Sequence, residues 1–162
     1  MAGKRSAGLL LYRRTADGGV EVLLAHMGGP LWERRGAAAW SVPKGEYLPP
    51  EEARDAARRE FEEELGLPPP DAPGVLLGEA RQASGKVVTV WAVESDLDPE
   101  RIVPGTFDME WPRGSGVTGT FPEIDRVAWF TPREAHRRLV AGQRVFLERL
   151  AERLGGLERG EA

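Results

Sequence analysis

The sequence predicts an α/β domain in which helices cover a mixed β-sheet. Three observations support this fold class. Short apolar segments bounded by turn residues alternate with amphipathic helical segments, two apolar segments are joined by a tight turn, and others are joined through helices. A sheet connected in both ways holds parallel and antiparallel strand pairs. The 162 residues suit one domain, which we place at residues 1–155, followed by a polar C-terminal tail at 156–162.

The first half of the chain is predicted to hold a hairpin, a short strand and an acidic helix. Residues 8–13 and 20–25 form the hairpin around Asp17-Gly18-Gly19, and residues 39–43 form a brief strand that a proline closes. A helix is predicted from Pro49-Pro50-Glu51-Glu52 to Leu65, because proline and carboxylates suit a first helical turn. Gly66 is the expected C-cap, and three prolines prevent continuation.

The second half predicts further strands and two helices around a long loop. Residues 74–80 and 86–94 are expected to be neighbouring strands, whereas residues 95–123 are rich in Pro, Gly and Asp and predict a functional loop. The remaining expected elements are a strand at 127–130, a helix that begins at the Thr131 capping box, and an amphipathic helix within 140–154 that Gly155-Gly156 ends.

Composition excludes several function classes. The 22 basic and 26 acidic side chains give a net charge of −4, which argues against binding of duplex nucleic acid through its phosphates. No apolar run reaches the roughly 18 residues of a membrane span. The absence of cysteine excludes thiolate chemistry, and the two histidines, His26 and His136, make a His-rich zinc site improbable. The N-terminus lacks a signal-peptide pattern, so we expect an unprocessed cytoplasmic protein.

The acidic helix carries the strongest chemical signal. Glu60, Glu63 and Glu64 stand at i, i+3 and i+4, so their carboxylates share one face and repel one another. Ala53 and Ala56 lie on nearly the same azimuth, which turns this face inward or sideways. A hard divalent cation such as Mg²⁺ or Mn²⁺ suits clustered carboxylates. The alternative is a solvated acidic face whose charges pair with arginines of the same helix.

Residues 45–67 match the pattern G-x5-E-x7-R-E-U-x-E-E-x-G-U, where U is bulky and apolar, at every fixed position. The matching residues are Gly45, Glu51, Arg59, Glu60, Phe61, Glu63, Glu64, Gly66 and Leu67. The chain therefore resembles the Nudix hydrolases, and its other local motifs are similar to bacterial nucleoside-polyphosphate hydrolases of that family. The resemblance implies an α/β/α sandwich that cleaves a nucleoside diphosphate linked to another moiety, X.

The resemblance also implies roles for individual residues. Glu60, Glu63 and Glu64 match the ligands of the divalent metal, with the Gly45 carbonyl as a further ligand. Arg59 matches the arginine that orients these carboxylates. Such a metal, Mg²⁺ or Mn²⁺, would neutralise charge on the pyrophosphate and activate a water for attack on phosphorus, without a covalent intermediate.

The residues at the start of the signature bear on the substrate. Pro43-Lys44-Gly45 resembles members that act on dinucleoside polyphosphates or diphosphoinositol polyphosphates, and the net charge of −4 disfavours the second class. We expect a small nucleotide such as diadenosine tetraphosphate, with Lys44 on a phosphate. Alternatives are pyrophosphatases of oxidised nucleoside triphosphates, nucleotide sugars or ADP-ribose, and a non-catalytic module that senses a nucleotide. Lys44 would otherwise be an exposed loop lysine.

Residues outside the signature are candidates for substrate binding. Arg13 and Lys86, at strand ends, could extend a polyphosphate-binding rim, or could be ordinary exposed charges. Trp111, with Phe107 and Phe121, lies in the predicted long loop and suits a lid that stacks on a base. Packing of the loop onto the sheet explains these aromatic residues equally well.

The general base has two candidates. Glu63 lies inside the signature, and Glu123 lies before the last predicted strand, with Asp125 and Glu110 as weaker choices. Glu123 could instead be a turn carboxylate paired with Arg126. Oligomeric state is not predicted.

Overall fold

The computed structural model describes residues 4–30 and 40–158. Within them the chain forms strands β1 (Arg5–Arg14), β2 (Val20–Met27), β3 (Trp40–Ser41), β4 (Lys44–Tyr47), β5 (Val75–Arg81), β6 (Val87–Glu94), β7 (Thr106–Glu110), β8 (Thr118–Pro122) and β9 (Ile124–Phe130), and helices α1 (Ala53–Leu65), α2 (Pro132–Arg138) and α3 (Val145–Glu158). Single 3₁₀ turns lie at Pro99–Arg101 and Ala141–Gln143.

The main sheet is mixed, as the sequence predicts. Its strands run in the order β3-β2-β1-β6-β5, with β4 also paired to β1 and β9 also paired to β2. The pair β1–β6 is parallel, and the other pairs of this sheet are antiparallel. The predicted hairpin is confirmed as β1–β2, with Tyr12 opposite Val22. The predicted neighbours β5 and β6 pair as expected.

Two apolar cores lie on opposite faces of this sheet, because side chains alternate along each strand. On β1, Leu9 and Leu11 pack in the core that holds Phe61 of α1. Leu10, between them, packs in the core that holds Phe146 of α3. The α/β/α sandwich is therefore confirmed.

The two ends of α1 determine which residues of the acidic segment are helical. The helix begins at Ala53, after Pro49 and Pro50, which lie in the preceding turn. It ends at Leu65, where Gly66 adopts a left-handed conformation with φ 70° and its N–H donates to Glu62 O. This is the predicted C-cap.

The predicted loop at 95–123 is wrong in part, because β7 and β8 pair there as an antiparallel hairpin, a two-stranded sheet of its own. Each strand has only five residues, and the connection between them holds Gly114 and Gly116. In so short a strand, the alternation of Phe107 and Met109 with polar residues is difficult to distinguish from a glycine-rich loop.

The end of the last helix also differs from the prediction. Helix α3 continues through Gly155-Gly156 to Glu158. Burial of Leu150 and Leu154 against the sheet offsets the low helix propensity of glycine, about 1 kcal/mol per residue. Residues 159–162 of the predicted tail, and Ala39 of the predicted strand at 39–43, lie outside the described residues. No helix of the described segments is long and apolar enough to cross a membrane.

Candidate active site

A cavity of about 430 Å³ opens where α1 meets the ends of several strands. Its charged lining consists of Lys44 from β4, Glu60 and Glu64 from α1, and Glu123, which precedes β9. The rest of the lining is apolar or small: Ala25, Met27, Gly28, Gly29, Ser41, Val42, Gly45, Phe107, Met109 and Ile124. The cavity thus combines a charged wall with an apolar wall that β7 supplies.

Gly45 lets β4 pass directly over α1. A Cβ at this position would overlap the carboxylate of Glu60, so any other residue would displace Glu60 from the cavity. Gly45 pairs with Ala7 on β1, and this pairing fixes the distance between β4 and α1. The requirement for glycine here comes from this close approach, because Gly45 is not among the glycines with positive φ.

Arg59 holds three carboxylates beside the cavity. Its Nε and Nη2 donate to the two oxygens of Glu51, both at 2.8 Å. Its Nη1 donates to Glu60 at 2.8 Å and to Glu63 at 3.1 Å. The hydrogen bonds to these carboxylates, led by those to Glu51, raise the already high pKa of Arg59. Arg59 therefore orients the acidic face of α1, as the signature implies.

Glu64 is the most strongly perturbed acid of the site. Burial raises its pKa from the ordinary 4.5 to about 8, and the nearby Glu123 and Glu60 add to the rise. The ammonium of Lys44 opposes it, as does the Lys44 N–H, which donates to Glu64 Oε2 at 3.2 Å. Burial likewise lowers the pKa of Lys44 itself.

Two further carboxylates face the same cavity. Burial raises the pKa of Glu60 in spite of its hydrogen bond to Arg59. Burial also raises the pKa of Glu123, and the charges of Glu60 and Glu63 raise it further. The cavity lining thus holds three carboxylates against one ammonium, that of Lys44.

The carboxylates that line the cavity are suitable ligands for a hard divalent cation. Glu60, Glu64 and Glu123 supply carboxylate oxygens to one cavity, the donors that Mg²⁺ and Mn²⁺ prefer. Over residues 4–30 and 40–158, no three acidic or histidine side chains converge in a geometry that would already hold a metal ion. Glu60 and Glu63 instead point to Arg59.

Comparison with known proteins identifies the family of this chain. A family model described as the NUDIX domain matches residues 3–150. The chain belongs to the Nudix family of hydrolases. Among curated proteins, the RNA pyrophosphohydrolase of Coxiella burnetii (strain RSA 493 / Nine Mile phase I) is 43% identical over 63 residues, which cover 38% of this chain. The match spans only 27% of that protein.

Solved Nudix structures share the whole fold. A C. elegans Ap4A hydrolase binary complex has a TM-score of 0.64 at 22% identity and covers 94% of this chain and 98% of its own. The NUDIX domain of Shewanella oneidensis NrtR, complexed with ADP ribose, has a TM-score of 0.63 at 16% identity, with 95% and 90% covered. A mutT/nudix family protein from Listeria innocua has a TM-score of 0.64 at 19% identity, with 98% of both chains covered. At these identities the likeness shows the fold alone.

The Nudix signature residues that the sequence singles out fall into two groups. Gly45, Glu60 and Glu64 line the cavity, as the assignment of the metal site requires. Glu63 does not line it, because its side chain is 54% exposed and turned to Arg59. Of the three glutamates expected to point inward or sideways, Glu60 and Glu64 point inward, whereas Glu63 is largely exposed to solvent.

Two of the predicted substrate-binding residues lie away from the cavity. Arg13 stands five residues along β1 from Gly8, the partner of Lys44, or about 17 Å at strand spacing. Its guanidinium pairs with Glu21 and Asp96 at 2.8 Å and covers the ring of Trp129. These contacts explain Arg13 as a structural residue.

Trp111 also lies outside the lining of the cavity. It follows β7 at the far end of the β7–β8 hairpin, is 37% exposed, and donates its backbone N–H to Val117 O. Phe107 and Met109 line the cavity instead. Phe107 packs on Phe121, with ring centroids 6.1 Å apart.

Lys86 lies beside the site without lining it. Its Nζ pairs with Glu46 Oε1 at 2.9 Å, and its charge helps to lower the pKa of Lys44. Lys86 is therefore close enough to Lys44 to affect the pKa of Lys44, although the Lys86 ammonium itself pairs with a carboxylate of β4.

Glu123 and Asp125 are separated by an irregularity in the β2–β9 pairing. His26 pairs with Arg126 and Met27 with Ile124, so Asp125 has no partner residue on β2. The Asp125 carboxylate contacts His26 Nδ1 at 2.8 Å, whereas Glu123 lines the cavity. The weaker base candidate Asp125 is thereby engaged elsewhere.

A buried amide that the sequence did not single out supports the start of the Nudix signature. Gln143 is 1% exposed; its Oε1 accepts the Val42 N–H at 2.8 Å, and its Nε2 donates to Ser41 Oγ at 2.9 Å. Ser41 and Val42 line the cavity, three and two residues before Lys44 respectively. A sequence separation of about 100 residues leaves no local signal for this contact.

Proposed function

We propose that this chain is a divalent-metal-dependent pyrophosphohydrolase that cleaves a nucleoside diphosphate linked to X, with dinucleoside polyphosphates such as diadenosine tetraphosphate as preferred substrates. One observation carries the proposal: a single cavity holds Lys44 and three carboxylates with raised pKa values on one wall, and Phe107 and Met109 on another. The charged wall suits a metal-bridged pyrophosphate, and the apolar wall suits a nucleobase.

The metal would be held by Glu60 and Glu64, which line the cavity, together with the Gly45 carbonyl and with Glu63 once its carboxylate turns from Arg59 to the cavity. Mg²⁺ or Mn²⁺ bound there supplies positive charge beside the pyrophosphate and makes water more acidic. Arg59 keeps the carboxylates of the helix in place through its hydrogen bonds to Glu60 and Glu63. The Lys44 ammonium contributes a further positive charge, and its attraction to a phosphate would be stronger in the cavity than in bulk water.

Glu123 is the general base that we favour. Burial raises its pKa above the ordinary 4.5, and a higher pKa makes a carboxylate a better acceptor of a proton from water. It also faces the cavity directly. Glu63, the other candidate, does not line the cavity, and both of its carboxylate oxygens accept from Arg59 Nη1 at 3.1 Å. The attacking water needs no covalent partner on the protein.

The preference for dinucleoside polyphosphates rests on two lines of support. The Pro43-Lys44-Gly45 motif resembles members with such substrates, and Lys44 lines the cavity. The fold neighbour from C. elegans is an Ap4A hydrolase. A cavity of about 430 Å³ has the size of a small-ligand pocket, so the second nucleoside would extend beyond it.

The test is product release by the purified protein with Mg²⁺ or Mn²⁺ and, separately, with EDTA. The panel holds diadenosine polyphosphates, normal and oxidised nucleoside triphosphates, ADP-ribose, a nucleotide sugar and 5′-triphosphorylated RNA. We expect the highest kcat/KM for diadenosine tetraphosphate, cleaved to a triphosphate and a monophosphate. A preference for any other class would retain the pyrophosphohydrolase and refute the substrate assignment. Absence of turnover on the whole panel would favour the nucleotide-sensing alternative.

Matched variants connect this activity to the cavity. Glu64→Gln removes a partly buried cavity carboxylate, and Glu62→Gln removes an exposed one two residues earlier on the same helix. We expect the first to lower kcat by two orders of magnitude or more and the second to leave it within about twofold. Equal activity of both variants would contradict the metal assignment.

A further inference from the structure

The segment from Val103 to Gly105 connects the end of α1 to Glu123. The Val103 N–H donates to Leu65 O at 2.7 Å, and the Gly105 N–H donates to Glu64 O at 3.3 Å. These carbonyls belong to the last turn of the helix, which has no intrahelical partners for them. The Gly105 carbonyl in turn accepts the Glu123 N–H at 2.8 Å. This short segment is thus hydrogen-bonded to α1 on one side and to Glu123, the proposed general base, on the other.

Gly105 leaves no room for a side chain. A Cβ added there would lie 2.7 Å from the Glu63 carbonyl oxygen, well inside ordinary contact distance, and 3.4 Å from Glu123 Oε2. The obstacle on the helix side is backbone, which cannot rotate away as a side chain does. Gly105 is not among the glycines with positive φ, so close approach, and not backbone conformation, requires glycine here.

Glu123 is held from its other side as well. Its carbonyl accepts the Gly28 N–H at 3.1 Å, and Gly28 lines the cavity. Both backbone groups of Glu123 are therefore committed, one to Gly105 and one to Gly28. A displacement of Gly105 has to move Glu123 with it or break the 2.8 Å hydrogen bond.

We propose that Gly105 is a positioning residue, which sets the distance between the Glu123 carboxylate and the carboxylates of α1. This inference rests on the proposed function of Glu123 as the general base. A methyl group at residue 105 would push the segment away from the Glu63 carbonyl by about 0.7 Å, the difference between 2.7 Å and an ordinary contact of 3.4 Å. Glu123 would move with the segment, away from Glu60 and Glu64.

The test is a double-mutant cycle on kcat in the full-length protein. Glu123→Gln removes the proposed base, for which we expect a fall of about 10²- to 10⁴-fold. Gly105→Ala misplaces that base, for which we expect a fall of about 10- to 100-fold. If Gly105 acts through Glu123, Gly105→Ala lowers kcat by less than about twofold when added to Glu123→Gln. The same loss in both backgrounds would overturn the inference, because Gly105 would then act independently of Glu123.

The single variants keep the inference separate from the proposed function. Full activity of Glu123→Gln would refute the role of Glu123 as base, whatever Gly105→Ala does. A loss in Glu123→Gln together with full activity of Gly105→Ala would refute the positioning role alone. Gly19→Ala is the matched control: it lies in the β1–β2 turn, where a Cβ would meet the movable Thr15 side chain, and we expect unchanged kcat.

A structural measurement tests the same inference without turnover. A crystal structure of Gly105→Ala should show the Glu123 carboxylate displaced from Glu60 by about 0.7 Å or more, and an unmoved Glu123 would overturn the proposal. If this variant does not fold, Gly28→Ala displaces Glu123 from the opposite side, because a Cβ there would overlap the Pro122 carbonyl. Its effect on kcat should also disappear in the Glu123→Gln background, and an undiminished effect would count against the proposal.

Discussion

Removal of the Glu64 charge should stabilise the metal-free protein at neutral pH. Burial raises the pKa of Glu64 from 4.5 to about 8 in the folded state, so folding opposes its ionisation. Below pH 4.5 the carboxyl is protonated in the folded and the unfolded chain, and it carries no penalty. As pH rises from 4.5 toward 8 the unfolded chain releases the proton while the folded chain retains it, and stability falls.

The magnitude follows from the two pKa values. Their difference of about 3.5 corresponds to about 5 kcal/mol once both states are ionised, above about pH 9. The same relation gives a penalty of about 3 kcal/mol at pH 7 and below about 1 kcal/mol at pH 5. Glu64→Gln keeps the shape of the side chain and an oxygen that can accept the Lys44 N–H. We therefore expect the variant to be more stable by about 3 kcal/mol at pH 7.

The assay is urea unfolding in EDTA at pH 5 and pH 7, with Glu62→Gln as the control for loss of an exposed carboxylate from the same helix. The free energy of unfolding of Glu64→Gln should exceed that of the unaltered protein at pH 7, and the gain should nearly vanish at pH 5. Mg²⁺ should reduce the gain, since a cation that binds the ionised carboxylate stabilises the folded state. A variant that is less stable at pH 7, or a gain equal at both pH values, would refute this reasoning.

Three further substitutions test other parts of the site. Gln143→Leu leaves the buried Val42 N–H without its acceptor, so the free energy of unfolding should fall by about 1–3 kcal/mol in urea titrations; a change below about 0.5 kcal/mol would contradict this role. Phe107→Ala removes the proposed stacking surface and should raise KM for diadenosine tetraphosphate by roughly 5- to 150-fold, with less change in kcat, whereas an unaltered KM would exclude base contact. Arg13→Ala should leave kcat/KM within about twofold and lower stability by about 1 kcal/mol in the same titrations, since its partners lie away from the cavity; a large loss of activity would restore Arg13 to the site.

The Nudix signature could be predicted in detail because its interactions are local. Arg59 meets Glu60 and Glu63 within one helical turn, and Gly66 ends the helix directly after Leu65. Helical periodicity and capping propensities describe contacts of this kind, so residue spacing was sufficient for the shared acidic face and the C-cap, whereas the role of Arg59 came from the family resemblance. The same spacing was insufficient for Glu63, which is 54% exposed although it shares a helix face with Glu60 and Glu64.

The remaining site residues depend on long-range contacts, for which sequence spacing gives no signal. Arg13 bonds to Asp96, which is 83 residues away, and Gln143 bonds to Val42 at a separation of 101. Phe107 reaches the cavity because β7 pairs with β8, and a five-residue alternation between glycines and prolines is a weak predictor of a strand. Gly105 has no chemical signature, because its role arises from the backbone that lies against it.

The charge balance of the cavity explains why metal and substrate would depend on each other. Its lining holds three carboxylates, Glu60, Glu64 and Glu123, against the single ammonium of Lys44. A pyrophosphate is itself anionic, so it would be repelled by this lining when all three acids are ionised. Burial is the main cause of the raised pKa values of the three acids, and the charges of neighbouring carboxylates raise them further. A divalent cation relieves the repulsion among the carboxylates and attracts the phosphates, and Lys44 alone cannot do both. The desolvation that costs folding free energy at Glu64 is therefore the feature that would make the cavity selective for a nucleotide bound together with its metal.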